Sequence, residues 1–438
     1  MNILTKKKKG VEFIDYRSRF CDDVLTTALP RIVVLPLGYG KIKPANPLVH
    51  EGAAVKEGQL IAKPDNRESI PLFSPVPGVV KDIRKITLPD GDKQSAIIIE
   101  LSGTFNRKSA SPDLSSYINV SPEELWKLLY ARGLARHSQP ALPPYLFMPL
   151  PGKKAKTLIV RCFPNQPWDN TESIIFRNMY REMMIGLHAL VRTTMPQRLV
   201  LFLEKDADYQ NNSEKIFADS REWGVPTAIM PADDFYPSAH DFMLIEKTDG
   251  TRLKYGDIPA MMGYVIVEPS TLIDVYNIIA FDRPVLEQLV SVGGDAIGQP
   301  TVCKIKKGMP VFELVNIKEL SLKTEDVDVF WGGPMTGYSS DWLGSPVLPG
   351  ISAITVNKRV RKPCPSVCIK CASCSAVCPR NLEPMLLYDF IESSEVEKAF
   401  KAGLGYCIEC GLCSFVCQSS LPLSPVFSQA LKEVNQHE

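Results

Sequence analysis

Neither sign of charge dominates this chain: 50 Lys and Arg stand against 49 Asp and Glu, a formal net charge of +1. A general grip on a polyanionic backbone needs a clear excess of basic side chains, so no nucleic-acid partner is expected. Long apolar runs are lacking as well. No stretch approaches the ~18–20 residues that cross a bilayer. The opening MNILTKKKKGVEF has a lysine run with no apolar segment behind it, unlike a secretory signal. Lysines 6–9 are read as a solvated terminus rather than a contact for anionic lipid. Histidine is scarce, and His50, His137, His188, His240 and His437 form no HExxH-type pair, so zinc catalysis is not expected. No GxSxG, P-loop or intact GxGxxG is present. Cysteine is nearly absent from the first 363 residues, which hold only Cys21, Cys162 and Cys303.

The other nine cysteines lie between Cys364 and Cys417. A disulfide scaffold spreads its thiols through a small secreted chain, whereas this crowding reads as metal ligation in a reducing compartment. The spacing is specific: Cys368-x-x-Cys371-x-x-Cys374-x-x-x-Cys378-Pro379, then Cys407-x-x-Cys410-x-x-Cys413-x-x-x-Cys417. Both runs match the bacterial ferredoxin pattern for 4Fe–4S clusters, in which three thiolates two residues apart wrap one cubane and the fourth ligand comes from the other run. The assignment is Cys368, Cys371, Cys374 and Cys417 to one cluster, and Cys407, Cys410, Cys413 and Cys378 to the second. Structural zinc, which favours two CxxC pairs set further apart, is the alternative. Cys364 falls outside the pattern and is read as a bystander. Gln418 stands where a proline usually follows the second run, a change expected to cost little.

At 438 residues the chain is too long for one ordinary core. Residues 1–30 carry few regular signals and are read as an N-terminal extension. Short β-rich runs broken by Gly, Pro and Asp fill 31–110. The phrases VKEGQLIA and SPVPGVVKDI there look like a barrel-sandwich domain of the lipoyl/biotinyl type, although KPDNRESIPLF between them lacks a lysine set for a prosthetic group. Ser121 opens a helix, with Pro122 at N1 and Glu124 at N3 of a capping box. Strands and helices then alternate through 120–256, which argues for a parallel sheet: KTLIVRCF, QRLVLFLEKD and VPTAIMPAD as strands, TESIIFRNMYREMMIGLHALVRT as one long helix, and a second helix ending on Gly224. Residues 257–330 are read as a further unit, 331–362 as a return segment packing on the β-domain, and 363–438 as the cluster domain, with a helical pair between its two cysteine runs. Gly293–Gly294 is read as a turn, Asp206 and Asp208 as solvated loop residues, and Met183–Met184 and Met261–Met262 as core filling.

Several phrases together carry a resemblance: ALPRIVVLPLGYG…ANPLVHEGAAVKEGQLIA, RPVLEQLVSVGGDAIGQP, GGPMTGY…PVLPGISAITV, and both cysteine runs, in this order over most of residues 28–425. The chain resembles the RnfC component of the Rnf electron-transport complex, which is similar to the flavin-binding subunit of complex I. The resemblance implies a multidomain fold of α/β and β units: barrel-sandwich, α/β domain for flavin and NADH, β-grasp domain of the soluble-ligand-binding (SLBB) type at 257–330, and helical two-cluster ferredoxin end. It implies an oxidoreductase subunit, peripheral on the cytoplasmic face of the bacterial inner membrane. The complex would move electrons between ferredoxin (or flavodoxin) and NAD while translocating ions. A soluble relative such as a corrinoid-reducing protein, or an adaptor stabilised by its clusters, is the alternative.

The flavin site of the resemblance does not carry over. Where the family has the loop G-x-G-G-A-G-F-P, this chain has GLARHSQPALPPYL, keeping Gly133 alone. RCFPNQPWDN replaces N-G-A-E-C-E-P-Y, so Pro167 and Trp168 stand for its Pro-Tyr pair and both glutamates are gone. FYPSAHDF replaces Y-P-x-G-x-E without its glycine. The α/β fold is expected to persist with FMN and NADH binding lost or much altered; no catalytic residue is assigned.

Overall fold

The computed structural model describes all residues except 1–8, 14–15, 106–110, 116, 138–139, 165, 325, 341, 361–363 and 436–438. Lys6 to Lys8 and His437 lie outside the described residues.

Alternating apolar side chains build the N-terminal β-unit. The strands Ile32–Pro36, Lys93–Leu101, Gly78–Thr87 and Ala54–Val55 form an antiparallel four-stranded sheet, and Asn46–Pro47, Leu60–Lys63 and Leu72–Phe73 form a three-stranded one. The inward residues Val33, Leu35, Val55, Ile61, Val80, Ile97 and Ile99 make the core between them. The expected barrel-sandwich is thus present.

The α/β unit holds a four-stranded, wholly parallel sheet in the order Thr227–Pro231, Arg198–Leu203, Thr157–Cys162, Tyr264–Val267. By position along the chain this is third, second, first, fourth. The order reverses between Thr157–Cys162 and Tyr264–Val267. Both are buried along their whole length, as strands covered by helices on two faces must be. The Pro122–Ala131 helix carries the anticipated capping box: Ser121 Oγ accepts from Glu124 N–H, and the Glu124 carboxylate accepts from Ser121 N–H.

The structure departs from several expectations. Tyr264–Val267 and the Pro269–Phe281 helix, grouped by sequence with 257–330, belong to the parallel sheet, because Tyr264–Val267 pairs with Thr157–Cys162 and the helix packs on Tyr180–Thr194. The single long helix is two, Thr171–Asn178 and Tyr180–Thr194, broken where Met179 leaves helical geometry at φ −126°. Met183 and Met184 are core residues, but Met261 is 80% exposed and Met262 44%, on the short turn Pro259–Met262.

Beyond the α/β unit, a six-stranded mixed sheet runs Val24–Thr26, Thr301–Lys306, Glu287–Gly293, Ala353–Lys358, Val327–Trp331, Tyr338–Ser339. Its first strand comes from the N-terminal extension, where no strand was anticipated. Val327–Trp331 spans the expected boundary at 330/331, and Ala353–Lys358 slots between it and Glu287–Gly293. Gly294 turns the chain at φ +128°, and a Cβ there would lie 2.0 Å from the Val356 carbonyl oxygen. That geometry fits the turn expected at this glycine pair.

The C-terminal region is helical: Ser373–Val377, Pro384–Glu392, Val396–Lys401, Leu412–Phe415 and Leu423–Asn435. No described helix is long and apolar enough to cross a membrane.

Candidate metal centre

Each cysteine run wraps one turn and then enters a short helix, and the two runs fold alike. In the first, Lys370 and Ala372 take left-handed backbone conformations (φ +53° and +60°); in the second, Glu409 and Gly411 do so at the matching places (φ +51° and +79°). Non-glycine residues rarely adopt this geometry, so its repetition marks a loop shaped for a purpose. It turns backbone N–H groups inward. Lys370 N–H donates to Cys368 Sγ at 3.3 Å, and Glu409 N–H to Cys407 Sγ at 3.4 Å. At the far end of each run, Leu382 N–H donates to Cys378 Sγ and Leu421 N–H to Cys417 Sγ, both at 3.4 Å, after left-handed Asn381 and Ser420. Such donors stabilise sulfur carrying negative charge.

The helices Ser373–Val377 and Leu412–Phe415 that follow the loops pack on each other. Cys378 comes close enough to Cys410 and Cys413 for its charge to act on both, and Cys374 likewise acts on Cys413. Six of the eight thiol residues (Cys368, Cys374, Cys378, Cys407, Cys413 and Cys417) pack against an apolar cluster that includes Leu382, Leu387, Leu404, Leu421 and Phe427. The runs differ in depth. Burial pushes the Cys410 thiol up to about 11, Cys413 to about 12, and Cys407 well above its ordinary value. Cys371 is exposed, and hydrogen bonds from the Ser373 side chain and backbone hold its thiol below the ordinary value.

Among the described residues no three His, Cys, Asp or Glu side chains converge on a single metal ion. One zinc ion draws its sulfurs in at ~2.3 Å each, whereas a cubane takes one thiolate at each of four separate irons. The duplicated loops, the N–H···S bonds and the apolar lining therefore fit iron–sulfur clusters. Cys364 is exposed and outside this pattern.

The cysteine-bearing region is tied to the α/β unit by a buried cation that sequence reasoning missed. Arg380, two residues past Cys378 and 1% exposed, pairs with Glu246 and donates to the carbonyls of Leu253 at 2.9 Å and Tyr406 at 3.3 Å. It thus ties the end of the first run and the approach to the second to the Asp241–Asp249 helix. Its only sequence signal is a charged residue inside the tight CPRNL exit. Tyr236 Oη donates to the Cys410 carbonyl at 2.7 Å. The GGPMTGY loop leans on the second run, where a Cβ at Gly411 would meet the Met335 carbonyl at 2.6 Å.

Residues 6–104 match the family model described as the RnfC barrel sandwich hybrid domain. The C component of the ion-translocating oxidoreductase complex of Pseudomonas aeruginosa is 28% identical over 92% of this chain. The C component of the proton-translocating ferredoxin:NAD(+) oxidoreductase complex of Clostridium ljungdahlii is 25% identical over 82% of this chain and 78% of its own length. The chain thus carries an RnfC-type barrel sandwich at its N-terminal end and is similar to RnfC proteins over most of its length. It spans only about half of the Pseudomonas relative, 52% of its length. Among solved structures, an NAD+-reducing nickel–iron hydrogenase in the H2-reduced state aligns at 12% identity and TM-score 0.49, over 77% of this chain and 66% of that one.

The remaining candidate residues have structural settings. His137 Nε2 lies 2.7 Å from Asp274 Oδ2. His188 stacks on Trp223 and its Nδ1 lies 3.0 Å from Tyr117 Oη. His240 caps a helix by accepting from Phe242 N–H, and burial pushes it down to about 4. Asp206 accepts from Asp208 N–H in an exposed loop. Gly133 survives at φ +78°, its Cα facing the Pro71 carbonyl and Phe73 ring of the β-unit. Trp168 sits left-handed at φ +62° with Tyr16 stacked on it at 4.1 Å.

Proposed function

We propose that this chain is an iron–sulfur electron-transfer subunit of an Rnf-type ion-translocating membrane complex, holding two 4Fe–4S clusters in its C-terminal helical region. The observation that carries the reading is the twofold recurrence of one loop, with N–H donors on Cys368, Cys378, Cys407 and Cys417. Cys368, Cys371, Cys374 and Cys417 hold one cluster, and Cys407, Cys410, Cys413 and Cys378 the other. The crossed assignment follows the ferredoxin spacing, and the packing of the Ser373–Val377 and Leu412–Phe415 helices on each other brings the two runs together. Once bound, each cluster takes up and gives back a single electron. The chain's own part is to hold the thiolates, donate N–H groups to their sulfurs, and exclude water from the second run more than from the first. The six-stranded sheet and its flanking segments act as the SLBB-type unit of the family, placing the GGPMTGY loop against the second run.

The relatives' names point to electron exchange between ferredoxin and NAD coupled to ion movement. In that setting this subunit docks on the cytoplasmic face of the inner membrane, with ferredoxin or flavodoxin on one side and partner subunits on the other.

Anaerobically purified protein should contain close to eight iron atoms and eight acid-labile sulfides per chain, in keeping with two 4Fe–4S clusters. Its reduced EPR spectrum should show two interacting clusters. Cys378→Ser should disturb the cluster of the second run and leave that of the first. Colourless protein, or stoichiometric zinc, would remove the reading.

A further inference from the structure

In an open parallel sheet, ligands bind at the carboxyl ends of the strands where the strand order reverses, because adjacent loops part there and leave a crevice. Here that point lies between Thr157–Cys162 and Tyr264–Val267. It is full of the chain's own side chains. Glu268, the first residue past Val267, is wholly buried there. Arg136, 2% exposed, reaches in from the loop after the first helix and donates to Glu268 at 2.5 and 3.3 Å. Its other face donates to Asp241 at 2.5 and 2.8 Å. Arg161, near the end of the first strand, donates to the same Glu268 oxygen at 3.2 Å. The two guanidinium groups are matched by two carboxylates, which leaves no surplus positive charge for a phosphate.

Backbone groups are committed too. A phosphate cradle needs free N–H groups and close backbone approach, but His137 N–H donates to Thr271 Oγ1 at 2.9 Å and the His137 ring is held by Asp274. The loop that could have cradled an anion is stitched to the first turns of the next helix. Beyond it, Trp168 and Tyr16 stack over the loop that leaves the first strand.

We infer that the switch-point crevice of the α/β unit is closed by an internal ion lock of Arg136, Glu268, Arg161 and Asp241, and that the chain takes no flavin or nicotinamide nucleotide there. With the cluster reading, on which this consequence rests, the chain exchanges electrons only one at a time. Reducing a nicotinamide takes an electron pair and one proton, so that step falls to another subunit, which must collect two single electrons for each turnover. The lock also has a mechanical side. Asp241 and Glu246 lie on one helix, so it joins the Arg136 cluster to Arg380 and the exit of the first cysteine run.

The test uses the full chain, with iron assayed separately so that loss of clusters and occupation of the crevice are read independently. Anaerobic protein is titrated with FMN and with NADH, following flavin fluorescence and the thermal midpoint. The expected result is no saturable binding, no rise in midpoint, and no bleaching of the visible spectrum by NADH. One equivalent of flavin retained on gel filtration would overturn the inference. The lock is read directly by Arg136→Met, Glu268→Gln and the double variant. Each single change should lower the thermal midpoint, and the double change should lower it by less than the sum. Additive losses would show that the pair is not coupled and the crevice not locked. If a single variant does not fold, Arg136→Lys, which keeps the charge but not the two-sided fork, should retain part of the midpoint.

Discussion

Two buried charged residues, Arg380 and Glu172, have consequences that single substitutions can read. Arg380 lies close enough to Cys378 for the two charges to act on each other. A positive charge in a poorly solvated place favours the reduced, more negative state of whatever the thiolate binds. Arg380→Gln should therefore move the EPR-monitored potential of the cluster proposed for Cys378 to a more negative value and leave the other cluster unmoved. Arg380→Lys should restore most of the shift; equal potentials in all three proteins would reduce Arg380 to a mechanical tie. Glu172 is a second case. It is wholly buried and accepts from Ser270 N–H and Oγ at 2.9 and 2.8 Å. Burial, against the pull of Arg161, pushes its carboxyl from 4.5 up to about 7. The folded state therefore holds a proton that the unfolded chain gives up near 4.5, so stability from this group is full below pH 4.5 and falls as pH rises to about 7. Glu172→Gln should flatten that decline and leave the variant about 2–3 kcal/mol more stable than the parent at pH 8, seen in thermal midpoints across pH 5–8.

Elements were legible in the sequence wherever a local pattern spoke for them. The capping box at Ser121, the strands of the α/β unit and the repeated spacing of the two cysteine runs all rest on residues within a few positions of one another. What could not be read rests on distant partners. Val24–Thr26 is a strand because Thr301–Lys306 offers it an edge. Tyr264–Val267 looks like the start of a new unit until its pairing with Thr157–Cys162, over a hundred residues earlier, is seen. The break at Met179 has no proline or glycine to announce it. The candidate site shows the same division: the eight proposed ligands stand out by their spacing, while Arg136, Glu268 and Arg380 are charged residues whose partners lie far off in sequence. Helix packing supplies a test in which local propensity and tertiary contact disagree. In an exposed helix, Gly186→Ala would add ~1 kcal/mol of stability. Here Gly186 faces the Pro269–Phe281 helix so closely that a Cβ would sit 2.1 Å from the Leu272 carbonyl oxygen. Backbone cannot yield as a flexible side chain can, so the variant should lose about 1–3 kcal/mol, read as a lower thermal midpoint.

At the scale of the whole molecule, the two ends of the chain depend on different kinds of cohesion. The β-unit, the parallel sheet and the six-stranded sheet bury large, fully enclosed cores. The cysteine-bearing region has only a small one, around Leu387, Leu404, Leu423, Phe427 and Leu431, and its helices before the last are nine residues or shorter. Helices of that length hold little structure alone, and a region with so small a core gains much of its stability from a metal or a cross-link. Two clusters with crossed ligands would supply it, each joining the two runs covalently. Stripping iron with a chelator should therefore unfold residues 364–435 and spare the rest. Hydrogen exchange should show protection lost throughout that stretch and at Tyr255, whose N–H donates to Gly405. The strands Thr157–Cys162 and Tyr264–Val267 should exchange as slowly as before, because Arg136, Glu268 and Arg161 do not draw on the clusters for their partners. Global loss of protection would mean that the Arg380–Glu246 tie transmits unfolding into the α/β unit, and the two regions would then be a single cooperative body.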